Sequence, residues 1–322
     1  MTLLLSHEDV KQCVDMSDAI SAMERGFKEE GEGYTKLPQR INMKAGKGWI
    51  RVGPVALEQS GWMGFKAMNL APGHGVRYQV HLYSIETGAL LAIMDAQYLT
   101  TLRTGATSAV ATKRLANPGR ADIALLGSGP EAAAQLEAMR ALDKIRTARI
   151  YSPTAANRER LAQHFRDLGI DATAVATTSA ATDGASLILA AVKSSETVLH
   201  GAALTPGTHI NSVGTARPDQ REIDVETFTR ANRIVVDTRD GVFNEAGDAL
   251  AARDAIDIDQ TTELASLVAT NQGGREHPDE ITLFKSVGTG LQDIALAAAI
   301  YQAAQAKGIG LDFGSFPYLK GR

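Results

Sequence analysis

Ser17 and Asp18 precede apolar Ile20, Met23 and Phe27 at helical spacing, and Gly31-Glu32-Gly33 ends the run, so the first clear element is a helix. The leading MTLLL reads as a short strand. From Trp49 to Asp95 the texture turns β-rich through WIRV, WMGFKAMNL and VRYQVHLYSI, and Glu86-Thr87-Gly88 turns the chain into ALLAIMD. This stretch predicts a small, largely antiparallel sheet. Residues 96–117 return to helix with Leu99, Leu102, Ala106, Ala109 and Val110 on one face, until Pro118-Gly119 stops them.

After Gly119, short apolar runs alternate with helical ones: DIALLG, a helix from Pro130, ARIYS, a helix through Arg160, ASLILAAV, THINSV and RIVVD. That rhythm predicts an α/β fold with a doubly wound parallel sheet. ITLFKSVG then leads into an Ala- and Leu-rich helix from about Leu291 to Lys307, expected to return to the first domain. The expected organisation is a discontinuous α+β domain of residues 1–118 with 299–322, and a dinucleotide-binding domain of residues 119–298.

The chain has 322 residues, enough for two domains with cores of their own. Its 33 Lys and Arg against 37 Asp and Glu give a net charge of −4, which supplies no general field for a polyanion, so nucleic acid is not an expected partner. Cys13 is the only cysteine, which excludes an intrachain disulfide and fits a reducing compartment, so a cytoplasmic location is expected. The apolar runs at 185–192 and 293–308 are too short or too interrupted for a bilayer, so no membrane is expected. The His residues show no metal-binding spacing, and no metal is expected.

Strand DIALL is followed at once by Gly127-Ser128-Gly129-Pro130-Glu131-Ala132, a G-x-G-x-x-A pattern at a strand-to-helix junction. Gly127 permits the tight turn, Gly129 lets backbone approach a pyrophosphate, and Ala132 allows close helix–strand packing. An ordinary glycine-rich turn and a methyltransferase nucleotide site are the competing readings. At the end of the next strand, where an acidic residue would meet a free ribose 2′-hydroxyl, stands Ser152, with Thr154 and Asn157 as neutral donors. Arg158 is either a 2′-phosphate ligand or an exposed helix residue. The combination favours NADP(H), with NAD(H) possible.

Arg40 in LPQRINM, Lys66 in MGFKAMN and Arg103 in TLRTGATSA are cations suited to orienting a small carboxylate substrate. Lys66 is the most suggestive, because it interrupts an apolar strand.

Taken together, GFKAMN, ETGALLAIMDA, TTLRTGATSAVATKRLA, LLGSGPEA, THINSVGTARPDQREID and TLFKSVGTGLQD resemble, in order and spacing, the ornithine cyclodeaminase and mu-crystallin family over nearly the whole chain. The resemblance implies a Rossmann domain beside a domain that builds the substrate pocket and a homodimer interface, in an enzyme of small imino or amino acids. It casts Arg40 and Lys66 as carboxylate binders and Arg103 as the cation near pyrophosphate and substrate. Gly129, Glu131 and Ala132 match the dinucleotide turn, Ser152, Thr154 and Asn157 the adenosine ribose, and Val213, Ser286 and Val287 the nicotinamide side.

One position departs from the cyclodeaminase pattern. Those enzymes carry a catalytic Asp two residues after the glycine matching Gly214, and Ala216 stands there in this chain. A methyl group cannot act as a base. The acidic substrate contact expected near WIRVGP is also missing, with Arg51 near that place. The TARPDQREID version is closer to the mu-crystallin form and implies reduction of a ketimine or cyclic imine, with Lys66 or a bound water as proton donor. Cyclodeamination or alanine oxidation would need Asp95, Asp219 or Asp293 in the missing role. Ligand binding without turnover is the non-enzymatic alternative.

Overall fold

The computed structural model describes residues 2–316, and the chain divides into two compact units, one of residues 1–103 with 289–322 and one of 104–288. The sequence pattern puts these boundaries at 118/119 and 298/299 instead. The observed ones fall inside helix Gln97–Leu115 and just ahead of helix Gly290–Lys307. An uninterrupted helical pattern carries no sign of where its packing partners change. The end of the expected first domain, 317–322, lies outside the described residues.

In the first unit a sheet runs in the order Leu311–Asp312, Leu3–Leu5, Leu90–Asp95, Gly75–Ser84, Trp62–Ala71, Gly48–Leu57, Thr35–Lys36, with Ile41–Ala45 also paired to Gly48–Leu57. Neighbours are antiparallel except Leu3–Leu5, which runs parallel to Leu90–Asp95. Alternation sends Val55, Leu57, Val80, Leu82, Ala92 and Met94 to one buried face. Helix Gly290–Lys307 packs on this sheet and on helix Met16–Gly31. The fit is close: a Cβ at Gly64 would stand 2.9 Å from Ile294 Cδ1, and one at Gly26 would stand 2.9 Å from Ala295 Cβ. Helix Met16–Gly31 begins just ahead of the expected Ser17-Asp18 start, because the Asp15 carboxylate accepts from Asp18 N while the Asp18 carboxylate accepts from Asp15 N.

The second unit is the expected doubly wound Rossmann sheet. Its strands run Ala172–Val175, Ile145–Tyr151, Ala121–Leu126, Leu187–Ala190, His209–Ser212, Thr282–Lys285, Arg233–Val236, Thr262–Glu263, all parallel. Order reverses beside Ala121–Leu126, where such sheets open a crevice beyond the carboxyl ends of their strands. Thr282–Lys285 inserts between His209–Ser212 and Arg233–Val236, so the late TLFK segment is a central, fully buried strand. Short Ala172–Val175 and Thr262–Glu263 carry too few residues for a sequence period and escape prediction. Among the described residues no helix is long and apolar enough to cross a membrane.

Candidate active site

Lys66 lies in strand Trp62–Ala71 on the face that helix Gly290–Lys307 covers, and only 6% of it is exposed. Its Nζ donates to Asp293 Oδ1 at 2.8 Å and to Thr100 Oγ1 at 3.4 Å, and sits 5.9 Å from the Tyr78 ring centroid. Arg103 Nε approaches the same Asp293 oxygen at 3.3 Å, and its NH1 donates to Gln292 Oε1 at 2.7 Å. Asp293 and Gln292 come from the first turn of helix Gly290–Lys307. Burial lowers the Lys66 ammonium to a pKa of about 8; the Asp293 carboxylate opposes that shift, while Arg103 and Arg40 add to it.

Arg40 reaches this face from the loop before strand Ile41–Ala45. Gly53 pairs with Lys66 across the sheet, and a Cβ there would lie 3.5 Å from Arg40 Cγ and 3.8 Å from Arg40 Cδ. The aliphatic part of Arg40 thus lies within ordinary van der Waals reach of a Cβ at residue 53. The first unit therefore brings Lys66, Arg103 and Asp293 together, with Arg40 beside Gly53. Sequence reasoning names Asp293 only as a replacement base; its place as the shared carboxylate of Lys66 and Arg103 depends on a contact across 227 residues, which no local pattern reveals.

The other acidic candidates have partners of their own. Asp95 accepts from Gln97 N at 3.0 Å and meets His7 Nδ1 at 3.2 Å. Asp219 is paired with Arg217 at 2.7 Å on an exposed turn. Ala216 packs against the apolar core of the second unit.

In the second unit the glycine turn has the form expected of a pyrophosphate cradle. Gly127 has φ +123°, and a Cβ there would stand 2.6 Å from the Ala191 carbonyl oxygen and 3.3 Å from Ala132 Cβ, so only glycine fits. A Cβ at Gly129 would meet nothing nearer than Glu131 Oε2 at 3.9 Å, which leaves that side open. Helix Pro130–Ala141 begins at Gly129 without a side-chain cap, so its first N–H groups remain to meet an anion. Ser128 Oγ donates to Ser152 Oγ at 2.9 Å, which ties the turn to the end of strand Ile145–Tyr151. Arg158 NH1 donates to the Ser152 carbonyl at 2.9 Å; Thr154 caps helix Ala155–Asp167 by position, and Asn157 lies in its first turn. These residues fit a nicotinamide dinucleotide.

Two buried devices fix neighbouring loops, and sequence reasoning misses both. Asp237 accepts from Ser286 Oγ at 2.6 Å, Gly288 N at 2.6 Å and Val287 N at 3.1 Å, so the Ser286 hydroxyl directs its proton inward. Fully buried Lys285 donates to Asp248 at 2.8 Å, Ser212 at 2.8 Å and Thr215 at 2.6 Å. Glu222 accepts from Gly214 N, Val192 N and Ser212 Oγ, and burial pushes its carboxyl pKa up against the pull of Lys285. Together they hold the segment around Val213 at the carboxyl ends of the strands. Motif TLFKSVG draws attention to Ser286 and Val287, while its lysine reads as an ordinary charge.

The chain is 35% identical to Thermococcus litoralis Δ1-pyrroline-2-carboxylate reductase, solved with NADH and L-proline, with a TM-score of 0.91 over 96% of this chain and 99% of that one. It is 31% identical to an archaeal alanine dehydrogenase dimer with bound NAD, with a TM-score of 0.91 over 97% and 99% of the two chains. Ketimine reductase mu-crystallin of Mus musculus is 32% identical over 232 residues, 72% of this chain and 70% of its own length. The profile of the ornithine cyclodeaminase/mu-crystallin family matches residues 1–308, and the chain belongs to that family.

Proposed function

We propose that this protein reduces the C=N bond of a small ketimine or cyclic imino acid to the corresponding amino acid, with NADPH as the preferred donor. It is an NAD(P)-dependent oxidoreductase acting on C=N or CH–NH bonds. The observation that carries the reading is buried Lys66, paired with Asp293 at 2.8 Å and with its pKa lowered to about 8. Such an acid is largely protonated at neutral pH, yet gives up its proton far more readily than an exposed lysine. Arg40 and Lys66 hold the substrate α-carboxylate, and Arg103 supports the site through Asp293 and Gln292. Gly127, Gly129, Glu131 and Ala132 would hold the dinucleotide, which would supply the hydride for the imine carbon. Lys66 delivers the proton that completes the amine.

Cyclodeamination is the weaker reading. Of its replacement bases Asp293 lies beside Lys66, and Lys66 and Arg103 both hold that carboxylate. NADPH preference is supported by Ser152, which puts no carboxylate where a 2′-phosphate would sit. A homodimer is supported by the opposite face of the first unit's sheet, where Ile41 is 63% and Met43 57% exposed beside partly buried Val52, Pro54 and Phe65. The test is purified protein with NADPH and Δ1-pyrroline-2-carboxylate, followed by loss of absorbance at the nicotinamide band. Tight NADPH binding with no reduction of any imine would overturn the enzymatic reading in favour of ligand binding alone.

A further inference from the structure

A cavity of about 840 Å³ opens in the second unit at the end of the sheet opposite the glycine turn. Its wall includes Asn117, Arg120, Asp143 and Lys144, which lead into strands Ala121–Leu126 and Ile145–Tyr151, and Arg275 and Glu276 from the loop ahead of strand Thr282–Lys285. Gly127 follows the other end of strand Ala121–Leu126, so cavity and glycine turn stand roughly 20 Å apart, the span of that strand and its flanks in extended chain. The two carboxylates of the wall are already engaged: Asp143 accepts from Arg120 NH2 at 2.5 Å, and Glu276 pairs with Arg233 at 2.6 Å. Arg275 directs its N–H groups to backbone carbonyls, Nε to Leu115 at 2.6 Å, NH1 to Glu280 at 2.6 Å and Pro278 at 3.0 Å, and NH2 to Gly207 at 3.0 Å. Those carbonyls fix the guanidinium but carry no net charge. Glu280, the carboxylate that acts on Arg275, is itself held by Arg233 Nε at 3.1 Å. Lys144 Nζ donates to the Asn117 carbonyl, and the charge that acts on it is that of Arg275, of like sign. Burial and Arg275 together lower the pKa of the Lys144 ammonium, and burial lowers that of Arg275. Lys113 and Arg114 border the cavity too and have partners of their own.

We propose that this cavity binds the phosphate group of a small metabolite, with Lys144 as the donor and Arg275 as a fixed second charge. Two like charges held in partly desolvated surroundings repel each other, and an anion beside them removes that cost. The anion's class follows from the donors. Lys144 keeps N–H groups beyond the one given to Asn117, and its ammonium is a compact point charge suited to a tetrahedral phosphate. The guanidinium fork of Arg275, which would match a planar carboxylate, is filled by carbonyls. The volume exceeds what phosphate alone occupies and leaves room for the organic part that carries it. This site stands apart from imine reduction and does not rest on it.

The experiment uses protein saturated with NADPH, so that the glycine turn is filled. Trace acetylation with acetic anhydride, read by peptide mass spectrometry, follows the reactivity of Lys144 against that of exposed Lys28 as inorganic phosphate or ribose 5-phosphate is added. A bound anion covers the amine and raises its pKa by about 1 to 3 units, so labelling of Lys144 should slow by about tenfold or more while Lys28 is unchanged. Ribose 5-phosphate acting at lower concentration than phosphate identifies a phosphorylated metabolite as the ligand, and equal potency identifies phosphate itself. Lys144→Gln should weaken calorimetric binding of the anion roughly 10- to 100-fold, and Lys144→Arg should recover part of it. Labelling of Lys144 that neither anion slows at millimolar concentration would overturn the proposal. Anion binding that Lys144→Gln leaves unchanged would place the anion elsewhere, at the Lys66 cluster for instance, and overturn it equally.

Discussion

Replacing Asp293 by Asn tests whether the buried lysine works through its proton. Asp293 Oδ1 is 2.8 Å from Lys66 Nζ and 3.3 Å from Arg103 Nε, and it is the favourable charge that keeps the Lys66 pKa as high as about 8 despite burial. Removing an opposite charge at contact distance lowers a pKa by about 1 to 3 units, so Lys66 in Asp293→Asn should titrate at about 5 to 7. At about pH 7.5 the protonated fraction then falls from about three quarters to between about a quarter and well under a hundredth, a loss of about 3- to 200-fold in a step needing the ammonium. The sign is fixed by the acid: activity that needs protonated Lys66 is present below its pKa and lost as pH rises through it. The assay is kcat/KM for imine reduction between about pH 5 and 10. Wild type should lose half its activity near pH 8, and the variant should lose it about one to three units lower, recovering much of its rate in acid. A variant whose descending limb stays with that of the wild type would refute the assignment. A general fall in rate at every pH, with no shift, would mean that Asp293 only holds the helix in place.

Local pattern is enough for the elements of the glycine turn, because there the requirement is itself local. A turn with φ +123° at residue 127 and a small residue at 132 is written in adjacent letters. Lys66 is legible for a different reason: a charge within an apolar strand is conspicuous without knowing what it touches. What it touches is not legible, since Asp293 arrives from a helix 227 residues later. Lys285, Glu222, Asp248 and Asp237 are hidden for a further reason. Each is an ionic residue whose burial is decided by strand order, and the insertion of Thr282–Lys285 beside His209–Ser212 follows from no preference of either segment. The same limit applies to the domain boundaries, which sequence can mark only where a helix stops.

The remaining expectations separate the two sites and then the two chemistries. Lys66→Met should abolish imine reduction while leaving NADPH affinity, read by nicotinamide fluorescence, within about twofold, since Lys66 and the glycine turn belong to different units. Gly127→Ala should do the reverse: its Cβ would meet the Ala191 carbonyl at 2.6 Å in a backbone conformation costing a side chain about 1 to 3 kcal/mol, so dinucleotide binding should weaken by about 5- to 150-fold. Wild type should bind NADPH more tightly than NADH, and Ser152→Asp should reverse that order by setting a carboxylate against the phosphate; an NADH preference in the wild type would contradict it. The last expectation turns on Ala216. Reduction of a ready-made imine needs a hydride donor, a carboxylate clamp and one proton, whereas ammonia release from ornithine also needs a base to free the attacking amine. Ala216 offers a methyl group packed on the core of its unit, Asp219 is turned outward to Arg217, and Asp293 is held by Lys66 and Arg103. Missing that base costs on the order of 10²- to 10⁴-fold, so ornithine should yield ammonia and proline at less than about a hundredth of the rate of imine reduction. Ammonia measured from ornithine with NAD⁺ decides it: release as fast as imine reduction would mean that one of these carboxylates does serve as the base, and Asp293→Asn would then abolish the release if the base is Asp293.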